Sequence, residues 1–557
     1  MTSQFQAIIL AGGGGSHLGA LTAGQLPKVL LPVANRPLIT FPLRTLEEAG
    51  ITDILIVCEG DVAASAVRAW LTHHHHHPYT TTGSIGGAKS IEVLRMAEGV
   101  PSVTALRQVM DRVKSENCVV LSGDVVTEIP LRAQLLQHQL RGAMVTALFG
   151  RRKTSAAADT QPGKPPRNVD YVGLADDDQL VFFHHSPDAV KEVALPFNAF
   201  KTHPSLHVTT NLVDMQVYVF CTAALKQLLA SQPHLLKLED HLLPFLAKQS
   251  RIKTAAATTT TKTQNLSSNT SGGQTDTNDP QMTTTTAGAA TAPRIPPPPT
   301  PPPSSSSAGA LNAKNPSSGS LMTSNHSEML VGHMELGHTH SALSLATLSH
   351  DGSTSLTGNT GANTTNNNNN NGQPLLCTAY IAPEGSYCQR ANRPEGYAEV
   401  NREAVSPELA PRLLREQPSS RGENFLGQGV VLGTKATVGS GCMLGPESVV
   451  GDKTSVKRSV VGRQCVVGAN VKILNSVLMD GVQVGDNCHI QNSIVSGGCV
   501  LQSRVTLKDC QVGPGVVVAG GSDHKGEILK STGGGSGSGG GSGEGGGEGS
   551  GNLGTAN

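Results

Sequence analysis

The chain has 557 residues, a formal net charge of zero and only 15% charged residues. That length exceeds a single hydrophobic core and calls for two or more domains. The neutral balance argues against a broad electrostatic grip on nucleic acid or on an acidic membrane, so neither is expected as a direct partner. No stretch is long and apolar enough to span a bilayer, and the first strand begins at once without a signal peptide, which suits a cytosolic, cytoplasmic protein. Ten cysteines are never closer than eleven positions. This excludes CxxC zinc or redox motifs and fits reduced thiols.

The first element is Gln6 to Ala11, an apolar run that stops at glycines, as a buried parallel strand does. Gly12 to Gly15 offer backbone freedom and the close approach of amides to a ligand. A glycine loop after a first strand is a common phosphate cradle in α/β sheets. G-x-G-x-x-G does not fit here, because Ser16, His17 or Leu18 takes a needed glycine position, and no Gly-Lys-Ser/Thr follows. Pro27 stiffens the chain beside Lys28, a fixed point charge for a phosphate.

Leu38 to Gly50 reads as a helix stopped by Gly50, and Asp53 to Cys58 as a second buried strand. The run His73 to His77 reads as a solvated loop expansion, with metal binding as the alternative. Ser90 to Ala97 reads as a helix. Cys118 to Ser122 is a third buried strand, ending in Gly123-Asp124. A carboxylate at that end of a parallel strand points into the ligand crevice; alternatively, Asp124 caps the turn. Leu131 to Arg141 is a helix, Met144 to Phe149 a strand, and Tyr171 to Phe183 a hairpin around Asp176 to Asp178. Val208 to Phe220 is a strand, and Ala223 to Ala230 and Leu235 to Lys248 are helices. The first domain spans residues 1–252.

Residues 253–373 are low-complexity: Thr258 to Thr261, Pro296 to Pro303 and Asn366 to Asn371. Apolar residues are too sparse to offset ordering, so disorder with a polyproline segment is expected. Residues 374–428 read as a connector. From Leu432 an aliphatic residue recurs every six positions, with occasional steps of five, through Val438, Leu444 and Val450 to Val512. Ser459, Ser476 and Ser493 recur every seventeen. This is the hexapeptide repeat of a parallel β-helix over residues 429–530, with the aliphatic positions inward and the cysteines as small core residues. His489 and His524 are the histidines near the repeat, without an evident partner for acyl transfer. Residues 531–557 form a flexible Gly/Ser-rich tail.

Leu10 to Val33, with Gly12, Gly13, Gly15, Leu18, Leu21, Thr22, Pro27, Lys28 and Leu30 to Val33 in place, resembles the sugar-nucleotide pyrophosphorylase (nucleotidyltransferase) signature. The resemblance implies a Rossmann-like α/β nucleotidyltransferase-like domain and a left-handed handedness for the β-helix. It also implies magnesium on Asp124, with Asp214 the nearest candidate for a second ligand. Active members have arginine where this chain has His17. Histidine makes no bidentate phosphate clamp, so a domain without catalytic residues and without a cofactor is expected. Gly12, Gly13, Gly15, Lys28 and Asp124 are then a nucleotide-binding remnant. The pairing with a β-helix is similar to the γ and ε subunits of initiation factor 2B. Asn35-Arg36-Pro37-Leu38-Ile39, Leu212-Val213-Asp214 and Lys457-Arg458-Ser459-Val460 follow the γ type. The Gly/Ser ending, in place of a helical exchange domain, argues against ε. That resemblance implies a role in guanine-nucleotide exchange, with ε and the other 2B subunits as partners and initiation factor 2 as the exchange substrate. An active sugar-1-phosphate nucleotidyltransferase and a silent nucleotide-binding regulator are the alternatives.

Overall fold

A computed structural model of the chain describes residues 4–12, 18–22, 26–74, 90–152, 169–186, 193–195, 197–203, 205–250, 376–419 and 423–530. All belong to one unit, Met1–Ser267 with Asn371–Asn557. The second unit, Ser268–Asn370, lies outside the described residues, as does the disorder expected for 253–373.

The amino-terminal domain is built on a ten-stranded sheet. Its strands are β1 (Phe5–Leu10), β2 (Asp53–Glu59), β3 (Ser90–Met96), β4 (Asn117–Ser122), β5 (Val145–Arg151), β6 (Val169–Ala175), β7 (Gln179–Ser186), β8 (His207–Thr209), β9 (Leu212–Cys221) and β10 (Cys377–Ile381). Their order across the sheet is β8-β6-β7-β10-β5-β9-β4-β1-β2-β3. The β4-β1-β2-β3 portion is parallel, the Rossmann-like core of the domain. Alternation along β1 sends Ile8 to one face of the sheet and Ala7 and Ile9 to the other. Helices cover both faces, as parallel strands require. α1 (Ser102–Val109) and α2 (Thr222–Ser231) pack on the Ile8 side. Thr40–Ala49, Gly60–His74 and Leu131–Arg141 pack on the other. Gly50 ends its helix in the left-handed conformation, φ 81°, as its position predicts.

Three expectations are corrected. Ser90–Met96 is a strand, not a helix. Ile91 and Val93 alternate with Glu92, and the segment pairs in parallel with β2 at the edge of the sheet. An edge strand tolerates charge, and Glu92 meets Arg112. The stretch read as a connector also supplies β10, inserted between β7 and β5. A short strand, Cys388–Arg390, pairs with Val125–Thr127, and a helix, Pro394–Ala404, follows. The helix expected from Leu235 opens instead with a π turn, Leu238–Leu242.

The β-helix has three flat faces of six or seven strands each. Each strand pairs in parallel with its equivalent in the next coil. Leu444, Val461, Leu478 and Val495 point inward, with Cys442, Cys465, Cys488 and Cys499 between them. All ten cysteines are free. Coils stack so closely that a Cβ on Gly445 would lie 2.5 Å from the backbone of Gly462, which explains the glycines of the repeat. The seventeen-residue serine period is a hydrogen-bond ladder. Ser459 Oγ accepts from Ser476 N at 3.0 Å, Ser476 Oγ from Ser493 N at 3.2 Å, and Ser493 Oγ from Cys510 N at 3.1 Å. Each hydroxyl also donates to a carbonyl two residues back.

The two folded parts share a core. Leu18, Leu21, Leu31, Val33 and Tyr397 pack with Met443, Val460, Val477 and Ile494 of one β-helix face. Asn35 Nδ2 donates to Val461 O at 3.0 Å, and Ser496 Oγ to Leu21 O at 3.3 Å. Ser476→Ala strands the buried N–H of Ser493, while Leu474 O keeps Asn492 N as a donor. It is expected to cost about 1–3 kcal/mol, read as a lower urea midpoint with an unchanged m-value.

Candidate functional site

The site lies where β1 and β4 end side by side. Gly123 N donates to Leu10 O at 3.0 Å. A Cβ on Gly123 would lie 2.7 Å from Val29 and 3.3 Å from Leu10 O, so only glycine lets the turn press against β1. This places Asp124 beside the signature stretch. Gly12 follows at the end of β1, against Glu59. Gly13, Gly15 and His17 lie outside the described residues.

Lys28 and Asp124 are brought together: Lys28 Nζ donates to Asp124 Oδ2 at 2.5 Å. A second cation arrives from far along the chain. Arg390 Nε donates to Asp124 Oδ1 at 3.0 Å and Nη2 to Oδ2 at 3.3 Å. Ser122 Oγ adds a donor to Oδ1 at 2.8 Å. Asp124 is 2% exposed. Its burial disfavours the anion. The charges and hydrogen bonds of Arg390 and Lys28 overcome this and hold the carboxyl well below the usual carboxylate range. Burial equally opposes the Arg390 charge, and Asp124 overcomes it. The turn-cap alternative is not what the side chain does: its oxygens serve an ion triad.

Asp214 is engaged elsewhere. It accepts from the Tyr218 hydroxyl and from Gln216 N, and its own N–H donates to Asp170 at 2.8 Å. Burial pushes its carboxyl up to about 7. The residue that meets Asp124 is therefore an arginine, not a second carboxylate. Glu239 lies 3.7 Å from Arg390 Nη1 and balances the second cation. Neither Arg390 nor Glu239 is among the residues picked from sequence. The available signal is a lone cation in a short segment between buried Cys388 and Ala391.

The pyrophosphorylase resemblance implies magnesium on Asp124. The residues present do not fit it. Both carboxylate oxygens accept from fixed cations, and a dication would face Lys28 and Arg390 at contact range. Ligand-capable atoms of His185, Glu239 and Asp240 lie within 4.8 Å of one another. They are held by other groups: His185 by Asp170 at 2.6 Å, Asp240 by Lys237 at 2.9 Å, and Glu239 by Gln216 and Arg390. The histidine run is described only at His73 and the backbone of His74, the end of a helix. In the β-helix, His489 is exposed, and His524 does have a partner, Glu527 at 2.8 Å.

Two family models match. Residues 6–159 match Nucleotidyl transferase, and residues 421–523 match the EIF2B subunit epsilon LbH domain. The β-helix is thus of the left-handed class. The γ subunit of translation initiation factor eIF2B from Dictyostelium discoideum is 26% identical over 263 residues, 44% of this chain and 57% of its own length. The γ subunit from Schizosaccharomyces pombe is 25% identical over 250 residues, 44% of this chain and 51% of its own. This chain is γ-like: a nucleotidyltransferase domain joined to a hexapeptide-repeat β-helix. It spans little more than half the length of those γ relatives. A glucose-1-phosphate thymidylyltransferase from Mycolicibacterium smegmatis is 54% identical over a short segment of 52 residues, 9% of this chain and 18% of its own length. No helix among the described residues is long and apolar enough to cross a membrane.

Arg390→Ala leaves the buried Asp124 with one cation fewer and is expected to cost about 3–5 kcal/mol at neutral pH. The Asp124 carboxyl is depressed in the fold, so its contribution is present above the unfolded value near 4 and lost as pH falls below it. Urea titrations of both proteins should converge as the pH is lowered through that range.

Proposed function

We propose that the chain is a non-catalytic, γ-type subunit of an initiation factor 2B complex. It pairs with an ε subunit in the cytosol and promotes GDP/GTP exchange on initiation factor 2. Its contribution is surface and support, while the partner supplies the exchange chemistry. One observation carries the loss of catalysis: Arg390 and Lys28 occupy both oxygens of Asp124, the carboxylate a nucleotidyltransferase would use for its metal. A triphosphate reacting there would lack the dication that neutralises developing charge. The similarity to γ subunits supports the translation role.

Active sugar-1-phosphate nucleotidyl transfer is the competing reading, favoured by the short thymidylyltransferase match. Both are tested together. The purified chain, given each nucleoside triphosphate with glucose or mannose 1-phosphate and magnesium, is expected to release no pyrophosphate above background. Co-expressed with ε, it is expected to co-purify and to speed GDP release from initiation factor 2 beyond ε alone. Pyrophosphate release at enzymatic rates, without recovery of ε, would overturn the proposal.

A further inference from the structure

The two folded parts of the chain form an open cavity of about 340 Å³ where they meet. Arg36 lines it from the nucleotidyltransferase domain, Glu416 and Gln417 from the segment before the β-helix, and Phe425, Leu426 and Arg463 from the β-helix itself. No lining residue belongs to the Asp124 triad. One wall is set before any ligand arrives. Ala34 sits at φ 47°, a strained conformation for a residue with a Cβ. Asn401 Oδ1 accepts from Ala34 N, and Asn35 Nδ2 donates to Val461 O, both at 3.0 Å, and these bonds hold the loop in place.

The polar groups of the lining are only partly used. Arg36, whose side chain is 13% exposed, gives Nη2 to Glu416 and no other nitrogen to a described residue. Arg463 gives Nε and Nη2 to Asp480, which leaves Nη1. The Gln417 amide has no partner among the described residues. Leu426 adds an acceptor. Phe425–Leu426 is the edge strand of its sheet. In later coils the equivalent carbonyl accepts from the coil before: Leu444 O from Gly427 N at 2.8 Å, Val461 O from Gly445 N at 2.8 Å and Leu478 O from Gly462 N at 2.7 Å. Leu426 O has no coil before it and no donor among the described residues. The cavity thus sets guanidinium and amide donors beside carboxylate and carbonyl acceptors, with Phe425, Met443 and Pro446 as an apolar wall.

We propose that this cavity binds a neutral, polyhydroxylated small molecule, a mono- or disaccharide. Hydroxyls donate and accept at once, so one sugar can meet Arg36 and Leu426 O together while its C–H face lies on the apolar wall. The volume stands at the lower end of the ~300–1,000 Å³ of small-molecule sites. Charge argues against an anion. Arg36 is matched by Glu416 and Arg463 by Asp480. Around them, Arg44 and Arg415 share Glu48, with Glu47 beside it, and Glu423 and Glu447 adjoin the lining in sequence. A phosphate would have to draw an arginine from its carboxylate and then stand among further carboxylates. A sugar leaves both ion pairs intact. The proposal stands independently of the subunit reading above.

The full chain is titrated with glucose, mannose, ribose and maltose, and binding is followed by ligand-observed NMR and by the melting temperature. At least one sugar is expected to bind saturably and to raise the melting temperature. Arg36→Lys keeps a charge opposite Glu416 but loses the planar fork, and is expected to weaken binding about fivefold. Gln417→Ala, at an exposed position, should weaken it about twofold. Leu426→Trp fills the cavity from a position that is 45% exposed, so the fold tolerates it, and should abolish binding. Lys472→Glu, on another face of the β-helix, should leave binding unchanged. No saturable binding of any of these sugars overturns the proposal. Binding that is indifferent to both Arg36→Lys and Leu426→Trp places the sugar elsewhere and overturns the site. Glucose 6-phosphate binding more tightly than glucose, with inorganic phosphate competing, overturns the neutral class in favour of an anion.

Discussion

Two cations from distant parts of the sequence meet at one buried carboxylate. Lys28 comes from the stretch that resembles a nucleotide site, Asp124 from the end of a central strand, and Arg390 from beyond the long insertion. Burying such a group is costly unless every charge is matched, and Glu239 supplies the remaining negative charge. The triad thereby fastens Cys388–Arg390 to the strand ends of the sheet, and Ala391 N reinforces it by donating to Asp124 O at 2.9 Å. Pro394–Ala404 follows directly, and its Tyr397 and Asn401 reach back to Pro32 O and Ala34 N.

The stretch that carries the nucleotidyltransferase resemblance also builds an internal joint. Leu18 and Leu21 are fully buried against the β-helix, and Asn35 and Arg36 lock the loop to Val461 and Glu416. A lid or loop that must open for substrate draws on weakly held segments. These residues are held on two sides. The ion triad at Asp124 and the joint to the β-helix are two aspects of one arrangement.

Much of this was legible in the sequence because periodicity reports burial. The hexapeptide step located the inward column, and the seventeen-residue serine period turned out to be a hydrogen-bond ladder rather than a mere echo of the coil. Strands β1, β2 and β4 read correctly since both of their faces are covered and they are apolar throughout. Ser90–Met96 misled because an edge strand carries Glu92 and Arg95, and its spacing also satisfies a helix. Arg390 stayed hidden for a different reason. Local pattern says nothing about a partner 266 positions away. The resemblance made Asp214 the nearest candidate for a second metal ligand, yet it sits on β9 against Tyr218, where burial makes it a hydrogen-bonding group.

The placement of β10 sets an order of assembly during synthesis. Cys377–Ile381 completes the sheet between β7 and β5, yet about 125 residues separate it from residue 250, the last described residue of the first segment. At ~5–20 residues per second, the ribosome needs roughly 6–25 s to supply it. For that interval the nascent domain has a slot in its sheet, with the backbone edge of Val145–Arg151 unpaired on the side that β10 will take. An open strand edge of apolar composition recruits whatever strand arrives first. The length of the insertion thus sets the interval before the sheet can close.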